Sequence, residues 1–452
     1  MEKTNIVVYF SDQQRADTIG CYGQPLDITP NLDKLAKNGV KFENAFSPQP
    51  VCGPCRAVFQ TGKHATDTGC FRNSIALPKN AKTIAHYLED NDYETAYVGK
   101  WHLASTGNLE EKPYQDYQTK AIPKELRGGY SGYWRASDLL EFTSDGYGGY
   151  VFDENNEKCE FEGYRCDCIT DYALDFINKR EDTKKPFMLF LSHIEPHHQN
   201  TAHHYQGPIG SKEKYKDFVL PKDLELLGGG DAREEYPDYL GQCNSLDTNL
   251  GRIIDTLKEK NIYENTVIIY VSDHGSHFNT RNKDSHLNGY DDYKRTAHDA
   301  ALKVPLIISG GKYNKAKVVK DLVSTESLAK TILAIAKIDI EDQMIGENLL
   351  DVVNGVNDNR ENEVYAQISE SRVGRCVRTE KYLYSIYAPE VNGGAVSSCT
   401  KYRDDYLYDM EKDPYQLNNL VDNDEYLLIK EELKNKIKTW IKQNERIDIT
   451  IE

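Results

Sequence analysis

Four apolar runs, each ending in a polar cluster, set the strongest limit on how this chain folds. They are Asn5-Ile6-Val7-Val8-Tyr9-Phe10-Ser11, Glu94-Thr95-Ala96-Tyr97-Val98, Pro186-Phe187-Met188-Leu189-Phe190-Leu191-Ser192 and Asn265-Thr266-Val267-Ile268-Ile269-Tyr270-Val271-Ser272. Continuous apolar, β-branched runs without polar alternation read as strands covered on both faces, as in the centre of a parallel sheet. Helical patterns lie between them, at 29–37, 81–90, 167–179 and 239–260, with another at 325–337, so the fold class is α/β. In open α/β sheets ligands collect at the carboxyl ends of the strands. Those ends carry Asp12-Gln13, Gly99-Lys100-Trp101-His102, His193-Ile194-Glu195-Pro196-His197-His198 and Asp273-His274-Gly275. Lys100 and His102, two apart on an extended segment, point to one side. Alone, Asp12 reads sooner as a helix N-cap or turn residue, and Lys100 has the alternative of a surface lysine and His102 that of a core histidine.

The segment Val51-Cys52-Gly53-Pro54-Cys55-Arg56-Ala57-Val58-Phe59-Gln60-Thr61-Gly62 has two incompatible readings. Cys-Gly-Pro-Cys is a dithiol loop of the thioredoxin kind, in which a helix N-terminus lowers one thiol's pKa. Such a pair closes a strand in a domain of about 100 residues, and this chain has 452. The longer pattern, Cys-x-Pro-x-Arg-x-x-x-x-Thr-Gly, resembles the type I sulfatases of the alkaline-phosphatase superfamily.

Other motifs follow in that family's order: Gly99-Lys100-Trp101-His102, the Pro196-His197 pair, Asp273-His274-Gly275, Lys294-Arg295-Thr296 running to Val304-Pro305, and Leu407-Tyr408-Asp409 with Asp413-Pro414 and Asn419-Leu420. The resemblance implies a large mixed, mostly parallel sheet sandwiched by helices, with a smaller C-terminal α+β subdomain. It implies that Cys52 is converted to formylglycine, whose hydrate is the nucleophile, and that Arg56 holds that hydrate. It gives Lys100 and Lys294 the sulfuryl charge, and His102 and His197 the acid and base roles without assigning which. Asp12, Gln13, Asp273 and His274, with residue 52, become the ligands of one divalent cation. Calcium is usual for the family, and His274 in place of an amide leaves room for Mn2+. The chain departs from the family at His298 and Asp299, so those two receive no role.

The implied function is hydrolysis of a sulfate ester, of a sulfated carbohydrate or an aryl alcohol, with release of inorganic sulfate. The implied partners are a small anionic sulfate-ester substrate and a formylglycine-generating maturation enzyme. A formylglycine-dependent phosphonate monoester or phosphodiester hydrolase would use the same residues, and a thiol-disulfide oxidoreductase would use Cys52 and Cys55. The Tyr- and Gly-rich stretch 105–165 reads as a pocket wall or as a structured surface excursion, and Arg372 and Arg375 as pocket or surface arginines.

The polar stretch Asn354 to Asn362 marks a boundary, giving a catalytic domain over 1–355 and a subdomain with a small antiparallel sheet and a terminal helix over 356–452. A net charge of −17 makes nucleic acid and anionic membrane poor partners. The ten cysteines are too few for a disulfide framework in a chain this long. Cys159, Cys166 and Cys168 read as a loop with incidental thiols rather than a metal knuckle, and His198, His203 and His204 as loop residues at the pocket rim. The N-terminal apolar run is too short for a signal-peptide core with a cleavage site, and the expected location is cytoplasmic.

Overall fold

The protein is described from a computed structural model covering residues 3–107, 116–180, 184–282, 292–339, 344–356 and 360–452. Parts of two stretches singled out above, 105–165 and 354–362, lie outside the described residues. Ten strands form the main sheet: β1 (Asn5–Ser11), β2 (Val40–Phe46), β3 (Glu94–Lys100), β4 (Tyr133–Ser137), β5 (Tyr147–Asp153), β6 (Lys158–Tyr164), β7 (Phe187–Ser192), β8 (Thr266–Ser272), β9 (Lys303–Ser309) and β10 (Lys317–Ser324). Their spatial order is β10-β2-β9-β8-β1-β7-β3-β4-β5-β6. The run from β8 through β1, β7 and β3 to β4 is parallel. β9 is antiparallel to both its neighbours, and β5 to both of its own.

Both faces of the central strands are covered, which is why their sequences do not alternate. Ile6, Val8 and Phe10 pack on one side with Phe59, Leu88 and Leu333. Val7 and Tyr9 pack on the other with Phe176, Leu246 and Ile253. Each buried aliphatic side chain contributes about 1.5–3 kcal/mol, so this two-sided core holds the strand ends rigidly. Register is tight where the site begins: Ser11 pairs with Ser272, and Ser192 pairs with Gly99. At Gly99, φ is +104° and an added Cβ would lie 1.9 Å from the Ser192 carbonyl oxygen, so only glycine lets β3 reach β7 there.

Five further strands, β11 (Glu363–Ile368), β12 (Val373–Thr379), β13 (Tyr382–Ala388), β14 (Lys401–Asp409) and β15 (Thr450–Ile451), form a second sheet in that order. One face packs on Phe46 and Leu302 of the large sheet's loops and strands. The other is covered by the helix Leu427–Asn444 through Leu433, Ile437 and Ile441. The α/β class and the smaller C-terminal sheet match the sequence expectation.

Three local expectations are corrected. The stretch 105–165 supplies β4, β5 and β6 of the main sheet rather than a separate excursion. The helix expected from Tyr239 begins at Ala232 and carries Pro237 inside it, because burial of Tyr236 and Tyr239 outweighs the lost backbone bond. Cys159 lies on β6, and Cys166 and Cys168 lie on the helix Arg165–Lys179, so no loop of thiols exists there.

Candidate active site

Residue 52 opens a buried helix, Cys52–Thr61. Pro54 is tolerated because first-turn N–H groups have no intrahelical acceptor. The Cys52 thiol is buried against three groups: the Lys294 ammonium at 3.1 Å, His274 Nε2 at 3.3 Å and Asp12 Oδ1 at 3.5 Å. Asp12 comes from the end of β1, His274 from the end of β8 and Lys294 from the segment before β9. One thiol therefore gathers residues more than 200 positions apart.

Asp12 is the electrostatic hub. Its Oδ2 accepts from Lys100 Nζ at 2.9 Å and from Arg56 Nη2 at 3.0 Å. Burial works against ionisation, but Lys100, His197, Arg56 and Lys294 hold its carboxyl well below the usual range. Arg56 also donates to Ser192 Oγ and to the Lys100 carbonyl. Lys100 also reaches Glu141 at 3.3 Å. Burial lowers the pKa of Lys100, yet Asp12 and Glu141 raise it above the ordinary value.

His197 joins the site through Lys294. Its Nδ1 donates to the His198 carbonyl and its Nε2 accepts from Lys294 at 2.9 Å. Burial and then Lys294 push His197 well below the usual histidine value, so the ring is neutral. His102 is likewise held neutral by burial, Lys100 and Arg56. It has φ +60°, and its Nδ1 has no hydrogen-bond partner. Among the described contacts none joins its side chain to Cys52.

The residues expected to bind a cation fit one. Asp12, Cys52, Asp273 and His274 place one potential ligand atom each within 4.8 Å of one another. His274 donates Nδ1–H to the Gly275 carbonyl, which leaves the Nε2 lone pair facing Asp12 Oδ1 and Asp273 Oδ1, each at 3.6 Å. Asp273 Oδ2 and Gln13 Oε1 are buried without hydrogen-bond partners. Gln13 Nε2 donates to Tyr205 at 2.8 Å, so its oxygen is the free end. Burial and then Asp12 push Asp273 up to about 7. Asp273 Oδ2 also lies 3.7 Å from Arg56 Nη2; buried oxygens that make no hydrogen bond, beside a neutral imidazole, are a donor set for a divalent cation.

Nine of the ten expected positions, all but His102, are therefore joined in one contact network, Gln13 through its N–H to Asp273 at 3.0 Å and Asp273 in turn through His274 and Arg56. Sequence reasoning missed Glu141, Ser192 and Tyr205. Ser192 ends β7 and is legible as a strand-end hydroxyl, whereas Glu141 lies on a one-turn helix, Leu140–Thr143, and Tyr205 in an irregular segment.

The two thiols of the Cys-Gly-Pro-Cys pair face different partners, since Cys55 donates to the Asp273 carbonyl at 3.1 Å. All ten cysteines are free. Burial and then Asp12 push Cys52 up to about 12, the reverse of a redox-active thiol. Cys166, His193 and Glu195 form a second buried group, but Arg165 already pairs with Glu195 at 2.8 Å. His298 and Asp299 join the two sheets: His298 contacts Thr296 and Tyr408, and Asp299 pairs with Arg378. Arg372 pairs with Asp405 and Arg375 with Glu445, all four buried, so neither arginine is a surface residue. No helix among the described residues is long and apolar enough to cross a membrane.

A sulfatase family model matches residues 4–338, and one for the C-terminal region of N-sulphoglucosamine sulphohydrolase matches residues 288–443. An ulvan-active sulfatase of Formosa agariphila is 29% identical, over 96% of this chain and 80% of that protein. An arylsulfatase of Clostridium perfringens is 26% identical, over 94% and 91%. A solved structure described as bound to its substrate D-glucosamine-2-N,6-O-disulfate superposes with a TM-score of 0.75, at 20% identity over 99% of both chains. The chain belongs to the sulfatase family and is a sulfuric ester hydrolase.

Proposed function

We propose that this enzyme cleaves the sulfate ester of a carbohydrate or aryl alcohol, using residue 52 as formylglycine and a divalent cation, Ca2+ or Mn2+. The observation that carries the reading is the position of Cys52 Sγ, between Lys294, His274 and Asp12. That sulfur stands in for an oxygen of the converted side chain. When present, formylglycine supplies a hydrated aldehyde as nucleophile, and the cation lowers the cost of gathering anionic oxygens. Asp12, Gln13, Asp273 and His274 would hold the cation.

The chain's own residues do the rest. Arg56 and Lys100 fix Asp12 and bring positive charge to the floor of the site. Lys100 and Lys294 offset the charge that grows on the sulfuryl oxygens as the ester bond breaks. Lys294 also donates to His197 Nε2, and in this reading the pair returns a proton to the departing alcohol oxygen. His102, whose Nδ1 is free, serves as the base that restores the resting side chain. Burial excludes water and strengthens every one of these charge interactions.

The test is production alongside a formylglycine-generating enzyme, followed by the mass of the tryptic peptide Phe42–Arg56 and turnover of 4-nitrophenyl sulfate and sulfated monosaccharides. An aldehyde at residue 52 with sulfate release is the expected result. Faster turnover of an aryl phosphonate than of any sulfate ester would overturn the substrate assignment.

A further inference from the structure

We infer that Glu370, in the C-terminal sheet's first turn, is a positioning residue that holds residue 52 and Lys294 in register; this rests on the reading of those two residues given above. The turn joins β11 to β12, and Glu370 has φ +65° there, in the left-handed region that a glutamate seldom adopts. Its own N–H is held by the Gly393 carbonyl at 3.0 Å. Backbone strain of this kind, at about 1–3 kcal/mol, persists where surrounding contacts fix the residue.

The carboxylate is divided between the two halves of the reacting centre. Oε1 accepts from the Asn73 backbone N–H at 2.6 Å. Asn73 Oδ1 in turn accepts from the Gly53 N–H at 2.9 Å, the residue directly after Cys52. Oε2 pairs with Arg295, the residue directly after Lys294. Neighbours in the turn repeat the pattern. Ser371 Oγ donates to the Arg295 carbonyl at 2.6 Å, and Ser369 Oγ accepts from Gln49 Nε2 at 2.7 Å, three residues before Cys52. The Glu370 side chain is only 13% exposed, so these charge-assisted bonds are little weakened by solvent.

Cys52 and Lys294 come from segments 242 residues apart and touch at 3.1 Å. Arg295 meets that carboxylate directly and Gly53 meets it through Asn73, so Glu370 sets the distance between residue 52 and the Lys294 ammonium from outside the site. Misplacement of reacting groups by about 1 Å costs on the order of 100-fold in rate.

The experiment compares matured wild type, Glu370→Ala and Glu370→Gln by turnover of 4-nitrophenyl sulfate and by hydrogen–deuterium exchange. For Glu370→Ala we expect kcat to fall about 10- to 100-fold with KM little changed. Exchange should rise in peptides covering 51–60 and 292–297 but not in β7. Glu370→Gln keeps an acceptor for Asn73 but loses the charge on Arg295, so it should protect 51–60 and loosen 292–297. Unchanged exchange in both segments would overturn the proposal, whatever the enzyme's substrate. A lower unfolding midpoint with kcat and both segments unchanged would reduce Glu370 to ordinary packing. Absence of wild-type turnover, with the exchange pattern as expected, would instead count against the sulfatase reading of the site.

Discussion

His197 Nε2 lies 2.9 Å from the Lys294 ammonium, and both groups are buried. The neutral ring carries no proton on Nε2, whereas one moved there from the adjacent ammonium can be donated from that same nitrogen to the departing oxygen, leaving Lys294 neutral. His197→Ala should therefore slow cleavage of a poor leaving group, such as a sugar alcohol, by about 100- to 10,000-fold. With 4-nitrophenyl sulfate, whose phenolate leaves without protonation, the loss should be much smaller. Equal losses on both substrates would move His197 out of the acid role.

The two cysteines of the Cys-Gly-Pro-Cys pair should separate cleanly. Cys52→Ala removes the group at the centre of the site and abolishes turnover. Cys55 contacts the Asp273 carbonyl and Ser47, so Cys55→Ala should keep most activity and cost about 1–2 kcal/mol of stability. Urea unfolding and aryl sulfate assays on both variants check this. Retained activity in Cys52→Ala would end the nucleophile assignment.

Cation removal is the third test. Asp273 Oδ2 and Gln13 Oε1 make no hydrogen bond, and only Arg56 Nη2, 3.7 Å away, offsets the charge of the first, so without a cation the site keeps buried oxygens short of donors. A ligand present at 100 times its Kd adds about 2.7 kcal/mol to the folded state. Chelation should lower the unfolding midpoint and abolish turnover, and Ca2+ or Mn2+ should restore both. Asp273→Asn should lose the response to added cation. A chelator-treated protein that melts unchanged and turns over at full rate would overturn the cation site.

The legible part of this protein is the part that is regular. β1, β7 and β8 are buried on both faces, so their residues form unbroken apolar runs, and the site residues next in chain are read straight off their ends. β5 and β6 escaped because the register shifts between Tyr147 and Gly149, which breaks the two-residue alternation. The helix start at Ala232 escaped because Pro237 argues locally against a helix that only tertiary burial supports. Asn73 and Glu370 lie in turns without periodicity and Glu141 on a helix of one turn, too short to show any, and the pairing of Asn73 with Glu370 across 297 residues leaves no local trace. His298 received no role because it departs from the family pattern, and its place against Tyr408 could not be read.

Arg375 tests the division between stability and chemistry. It is buried in the C-terminal sheet against Glu445, away from the contact network around Cys52. Removing one partner of such a buried pair costs about 3–5 kcal/mol. Arg375→Ala should therefore unfold at markedly lower denaturant while kcat and KM, measured on the folded fraction, stay at wild-type values. A raised KM would restore the pocket reading of this arginine.

Asp247 gives stability a pH dependence independent of the active site. It stands on the helix Ala232–Glu259 and caps the helix Pro30–Asn38 from outside, accepting from the Leu32 N–H at 2.8 Å and from Asn31. Burial raises its carboxyl to about 6 from 3.8, with the backbone donors only partly offsetting. The native state therefore holds this proton more tightly than the unfolded chain. Its contribution is fully present below about pH 4 and is lost as pH rises through about 6, on the order of 3 kcal/mol across the window. Asp247→Asn keeps an acceptor for the cap and cannot ionise. The stability of Asp247→Asn minus that of wild type, from urea unfolding at a series of pH values, should accordingly rise between pH 4 and 7 and flatten above. A difference that stays constant over that range would show that Asp247 ionises in the native state as it does in the unfolded chain.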